Sequence, residues 1–323
     1  MRSPRRVLLL AAVGLACVLA VTASSFAAHR STHHATAGKL TFAMITHGDP
    51  SDPFFSVVKA GERAAAAKLG VTATYQSSAK PQTEIQYIQA AINQHVNGLA
   101  IAYDDPSVEA IVKKAAAAGI PVYGLNSGLT DFPKNGEIGY VGQDEGIAGQ
   151  AVGNALNGVG GLKHVLCVIH YAGAVNLEQR CNGVKATFKG TVTTINVPTN
   201  DLAADESSIK SKLAADKSID AVVTLGFGVA QVAETAISAA GSKAKLATFD
   251  LSATVLKDIQ KGKILFCVDQ QPYLQGYLPI TYLYLYNKNL NIVGGGKPVL
   301  TGPNLITAKT AGKVLKLASA GTR

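Results

Sequence analysis

The stretch "GLAIAYDDPSVEAIVKKAAAAGIPVYGLN", residues 98–126, contains a complete strand–helix–strand unit. "GLAIA" is a short, continuous apolar run, as expected of a strand covered on both faces. Pro106 to Ala118 reads as a helix ended by Gly119, and "IPVYGLN" reads as the next strand. Two such strands joined through a helix by short connections form a right-handed crossover in a parallel sheet.

The same alternation extends in both directions. Upstream lie the strand "KLTFAMIT", a helix from Pro53 to Leu69 ended by Gly70, the strand "VTATYQ" and a helix from Thr83 to Gln94. Downstream the pattern begins again with the strands "HVLCVIH", "VTTINV", "DAVVTLG" and "KLATFD". Helices Leu177 to Phe188, Glu206 to Ala215 and Val229 to Ala239 lie between them. The expected class is α/β, with two Rossmann-like, doubly wound parallel-sheet lobes. Two late segments, "ILFCVDQQP" and "GPNLIT", are placed to carry the chain back across the gap. No residue-level repeat relates the halves.

Composition supports a large core. The 323 residues are 47% hydrophobic and 16% charged. Residues 1–27 read as a secretory signal peptide: Arg2, Arg5 and Arg6 precede an apolar run, and "SFA" ends at Ala27. An uncleaved anchor, or a lipid on Cys17, is the alternative. Cleavage removes three arginines and no acids, taking the net charge from +9 to +6. Residues 28–38, "AHRSTHHATAG", read as a flexible leader rather than a metal site on His29, His33 and His34. The lysines are scattered along helices with no aromatic interleaving, which disfavours nucleic acid as a partner. In an oxidising compartment, Cys167 in a strand and Cys181 in the following helix are placed to form a disulfide, leaving Cys267 as a buried thiol. There is no C-x-x-C, so neither a zinc site nor a redox motif is indicated.

In open parallel sheets, ligands bind beyond the carboxyl ends of the strands. After the first strand come His47, Asp52, Phe54 and Phe55; after the third, Asp104; after the fourth, Asn126. In the second half, His170, Asn176, Glu178 and Arg180 follow the first strand, Phe227 the third and Asp250 the fourth. Gln270 follows the late strand. These side chains offer many hydrogen bonds and few nucleophiles, which suits a polyhydroxylated ligand. One of the adjacent rings of "DPSDPFF" is placed to cover the C–H face of a sugar while the other packs inward. Each residue also has a structural role open to it: Asp52 and Asp250 as helix caps, Thr83 as the cap of the second helix, and Arg180 as a surface partner of Glu178 or Glu206.

These segments, in this order, resemble the solute-binding proteins of bacterial sugar ABC importers, of the ribose- and galactose-binding kind. The likeness runs from Lys39 to about Thr310. It is carried by "DPFF" at 52–55, "GIPVYGLNSG" at 119–128, "YVGQDEGIAGQ" at 140–150, "LEQRCNG" at 177–183, "FD" at 249–250 and "DQQPYLQG" at 269–276. The resemblance implies two lobes on a three-stranded hinge passing near Gln143, Gln270 and residues 304–306. Residues 39–143 plus 271–305 would form the first lobe, and 144–270 plus 306–323 the second. It also implies that Asp52, Asn126, Asn176, Arg180, Asp250 and Gln270 face the ligand, with Phe54 or Phe55 stacking on it. Ser127 stands where ribose binders carry arginine, and Gly226-Phe227 where Asn or Asp is usual. Both departures count against ribose itself, and Phe227 offers a ring from the second lobe.

The expected protein is a monomeric, extracytoplasmic solute-binding protein, in the periplasm or outside the cell envelope. It takes a sugar or polyol by hinge closure, needs no cofactor and docks on a membrane permease. A sensor presenting the bound form to a membrane receptor is the alternative. No G-x-S-x-G, H-E-x-x-H or opposed carboxylate pair supports an enzyme. Removal of Asp250 or Arg180 is expected to weaken binding and leave the fold intact.

Overall fold

The computed structural model describes residues 39–197 and 201–323. The signal segment, the leader and Cys17 lie outside the described residues. The first half runs β1 (Thr41–Thr46), α1 (Pro53–Leu69), β2 (Thr72–Ser77), α2 (Pro81–Asn93), β3 (Gly98–Ala102), α3 (Glu109–Ala117), β4 (Val122–Leu125) and β5 (Gly139–Gln143). The second runs α4 (Glu145–Val159), β6 (His164–Ile169), α5 (Val175–Thr187), β7 (Thr191–Asn196), α6 (Leu202–Ala215), β8 (Ala221–Thr224), α7 (Phe227–Ala239), β9 (Lys245–Phe249), α8 (Ala253–Gln260) and β10 (Ile264–Asp269). Then follow α9 (Pro272–Asn289), β11 (Val299–Gly302), β12 (Asn304–Thr307) and α10 (Ala308–Ser319).

The strands form two sheets, ordered β11-β5-β4-β3-β1-β2 and β12-β10-β9-β8-β6-β7. Every pairing is parallel except β12 on β10. The strand order reverses between β1 and β3 in one lobe and between β6 and β8 in the other. Those switch points open a crevice at the carboxyl ends. The central strands β3, β4 and β8 are buried throughout, while the edge strands β2 and β7 carry mainly exposed and half-buried positions. Apolar side chains cover both faces of each sheet, giving a separate core on either side.

The chain passes between the sheets three times, after β5, after β10 and between β11 and β12. Asn304 and Leu305, expected in the first lobe, instead pair with Asp269 and Val268 in the second sheet. Past each of the first two passages a helix packs closely on the first helix of the lobe it enters: α4 on α5, and α9 on α1. Glycines permit that approach. A methyl at Gly149 would collide with the Arg180 carbonyl, and one at Gly276 with the Val58 carbonyl.

Several boundaries differ from expectation, for local reasons. Helix α2 starts at Pro81, with Lys80 at the cap position, so Thr83 lies inside it. The expected Pro106–Ala118 helix begins as a 3₁₀ turn, Pro106–Val108, because Asp105 accepts from the Ser107 N–H at 2.8 Å. Asp201 caps α6, drawing its start back to Leu202. The sequence reading names neither β5 nor β11, nor α4, α9 and α10. Gly139 and Gly142 weaken the strand signal of β5, glycines dilute the helical signal of α4, and Pro279 interrupts that of α9.

Candidate functional site

His47, Asp52, Phe54, Phe55, Asp104, Asn126, Asn176, Arg180, Phe227, Asp250 and Gln270 all line one cavity of about 640 Å³ between the lobes; Glu178, also named after a strand end, does not. From the first lobe, Asp52 caps α1, accepting from the Phe54 N–H at 2.8 Å, with Pro53 in the first helical position. The cap turns the helix start toward the crevice. Phe55 is 6% exposed and belongs to the core. Phe54 is partly buried and meets it edge-on, ring centroids 5.2 Å apart. The open choice between the two rings is thereby narrowed: Phe54 faces the cavity more openly, while Phe55 backs it. His47 stands edge-on to Phe55, with its Nε2 3.7 Å from Asp104 Oδ2 and its Nδ1 3.3 Å from Ser127 Oγ.

From the second lobe, Asn176 sits in the first turn of α5. One turn on, Arg180 is buried rather than on the surface. Its partner is neither Glu178 nor Glu206 but Glu145 of α4, at 2.6 Å from Nε and 3.0 Å from Nη2. Nη1 donates to the Leu225 carbonyl at 3.0 Å, and the guanidinium lies 4.7 Å from the centroid of the Phe249 ring. The Cys167–Cys181 disulfide joins β6 to α5 beside it, and Cys267 is a buried free thiol. Phe227 opens α7 and brings a phenyl ring of the second lobe to the lining.

Asn126 and Asp250 occupy matching places, each just past the fourth strand of its half. Both adopt left-handed backbone, with φ of 62° and 63°. Asn and Asp are the non-glycine residues that tolerate it best. Ser252, not Asp250, caps α8. The Asp250 carboxylate is therefore free to accept from Gln270 Nε2 at 2.6 Å. Burial pushes its pKa up to about 7, against the pull of Arg180 and Gln270 in the other direction. Burial also raises Asp52. Desolvation and the same guanidinium push the half-buried His170 down to about 4, so it is neutral at physiological pH.

Sequence reasoning missed several contributors. Glu145 directly follows the cap of α4, a position that suggests only helix initiation. Asp205, in the first turn of α6, and Tyr171, next to His170 just past β6, also line the cavity. Gln275 lies in the quoted "DQQPYLQG" and supports the site from behind. His170 stood among the strand-end residues and does line the cavity.

Among the described residues of the lining, Arg180 is the only lysine or arginine, and its charge is already balanced. Aspartates come from both lobes. The cavity therefore offers acceptors, a few directed donors and aromatic rings from both lobes, a combination that fits a neutral polyol better than an anion. Among the described residues, no group of three or more histidine, cysteine or acidic side chains is placed to hold a metal.

A family model described as a periplasmic binding protein domain matches residues 42–289. The xylose/arabinose-binding protein XylF of Sulfolobus acidocaldarius is 29% identical over 255 residues, 73% of this chain. The match spans 63% of that curated relative's length. Among solved structures, a carbohydrate transporter from Acidothermus cellulolyticus 11B, in complex with myo-inositol, is 43% identical with a TM-score of 0.85. The match covers 88% of this chain and 100% of that one. An ABC transporter solute-binding protein from Burkholderia graminis C4D1M, in complex with D-arabinose, is 27% identical with a TM-score of 0.72, covering 84% and 96%. These matched proteins are binding proteins of transport systems, not enzymes.

Proposed function

The chain belongs to the periplasmic binding protein domain family, and on that premise we propose that it captures a neutral sugar or related polyol between its lobes and delivers it to the permease of an ABC importer outside the cytoplasmic membrane. The observation that carries this reading is the convergence of Asp52, Phe54, Asn126, Arg180, Asp250 and Gln270 on one interlobe cavity. No single lobe supplies the set. A ligand touching both lobes gains its full affinity only when they are closed, and so shifts the population toward the closed form. The three chain passages at Gln143, Gln270 and Pro303 are where that motion would bend.

Cyclitols head the expected ligands. The relative at 43% identity holds myo-inositol, and the aspartates with the Asn126 and Gln270 amides suit a ring bearing hydroxyls on every carbon. Titration calorimetry of the purified chain as a monomer, with myo-inositol, D-arabinose, D-xylose and D-ribose, tests the reading. One-to-one binding of a neutral polyol, with a raised melting temperature and a smaller radius of gyration in solution scattering, supports it. At a ligand concentration about a hundred times Kd the gain is about 2.7 kcal/mol. Binding of none of the panel, or binding with no compaction, refutes it. Ligand-dependent capture of the permease from detergent-solubilised membranes tests delivery.

A further inference from the structure

Gln275, near the start of α9, is fully buried. Its Nε2 donates to the Gln270 backbone carbonyl at 3.0 Å and to Thr301 Oγ1 at 3.2 Å. A backbone carbonyl can only accept, so this end of the amide must be the nitrogen. Oε1 is thereby turned toward Asn126 and accepts from Nδ2 at 3.0 Å. With its nitrogen held there, Asn126 has its Oδ1 left for the cavity that it lines. On the side of the second lobe, Gln270 gives its own Nε2 to Asp250. Its Oε1 makes only a long contact of 3.4 Å with Gln275 Nε2. One buried amide thus sits between a ligand-facing group of each lobe.

We propose that Gln275 is a positioning residue that sets the polarity of the binding site. Anchored on a backbone carbonyl, it holds Asn126 so that an acceptor meets the ligand, and it braces Gln270 against Asp250. The site then selects ligands whose hydroxyls donate. It discriminates against the same rings carrying ether or fluoro substituents, which only accept. This inference rests on the proposed reading of the cavity as a polyol site.

Gln275→Met keeps the volume and removes the hydrogen bonds to Asn126, the Gln270 carbonyl and Thr301; Gln275→Glu keeps an acceptor toward Asn126 in either protonation state. For the full chain, Gln275→Met is expected to weaken myo-inositol binding about tenfold, the worth of one net hydrogen bond. It should also narrow the preference for myo-inositol over its mono-O-methyl ethers, because the freed Asn126 amide can turn its NH₂ to the cavity. Gln275→Glu should retain that preference. Equal behaviour of the two variants, or full affinity and preference in the Met variant, overturns the proposal. A ligand-free measurement separates this failure from that of the functional reading. In ¹⁵N-labelled wild-type protein, the Asn126 side-chain amide protons should show a nuclear Overhauser contact to Gln275. Absence of that contact overturns the proposal whatever the ligand, and decides it even where a variant does not fold. Wild-type protein that shows the contact but binds no neutral polyol refutes only the functional reading.

Discussion

Arg180 of α5 and Glu145 of α4 meet in a two-point ion pair, Nε to Oε2 at 2.6 Å and Nη2 to Oε1 at 3.0 Å, with both side chains 4% exposed. The guanidinium charge is balanced inside the second lobe before any ligand arrives. Its remaining N–H groups can donate to a hydroxyl without requiring an anion.

Replacing Glu145 with Ala leaves a buried guanidinium uncompensated. The expected loss is about 3–5 kcal/mol of folding stability, read as a lower urea midpoint. Arg180→Ala strands the carboxylate instead, so it should weaken both ligand binding and the fold. That replaces the sequence-based expectation of an intact fold. An unchanged midpoint in both variants would show that water reaches the pair.

Phe54 and Phe55 should respond differently to truncation. Phe54→Ala is expected to keep the fold and weaken polyol binding roughly tenfold, the loss of one covered ring face. Phe55→Ala opens the first-lobe core and should cost about 3–5 kcal/mol. Calorimetric titration beside thermal melts separates the two, and the reverse pattern would exchange their roles.

Asp250 ties stability to pH. Its carboxyl ionises near 3.8 when unperturbed and is pushed up to about 7 in the fold, chiefly by burial. Between those values the folded protein holds a proton that the unfolded chain has lost, so this contribution to stability falls as pH rises from about 4 to about 7. His170 works in the opposite sense below about 6.5. The difference between wild type and Asp250→Asn therefore isolates the aspartate. The variant, which still accepts from Gln270, should gain relative stability with rising pH, by at most a few kcal/mol. Parallel pH profiles would show that Asp250 is ionised throughout.

The Cys167–Cys181 disulfide, with a separation of 14 residues, ties β6 to the helix that carries Arg180. Removing it with a double Cys→Ala substitution should lower stability by about 3 kcal/mol. Protein lacking residues 1–27, with the disulfide intact, should take up no thiol label, because Cys267 is buried. Rapid labelling of Cys267 in that protein would contradict this placement.

The legible part of this protein lay where a local pattern had one physical outcome. Short apolar runs between helices marked the inner strands, since a strand covered on both faces has no reason to alternate with polar residues. Asp52 before Pro53 marked a helix start, because the cap is a contact between neighbours. Harder to read were β5, α4 and α9, where glycine and proline obscure the local signal and packing on α5 and α1 supplies the stability instead.

The binding residues divide in the same way. By itself the sequence determined that the polar side chains sit after strand ends in both halves, because strand direction in a crossover unit follows from chain order. Only the tertiary structure decided the strand order with its switch points, the meeting of Arg180 with Glu145 across 35 residues, and the Asn126–Gln275 bond across 149. Long-range partners are chosen by which surfaces bury together, and no local spacing encodes that choice.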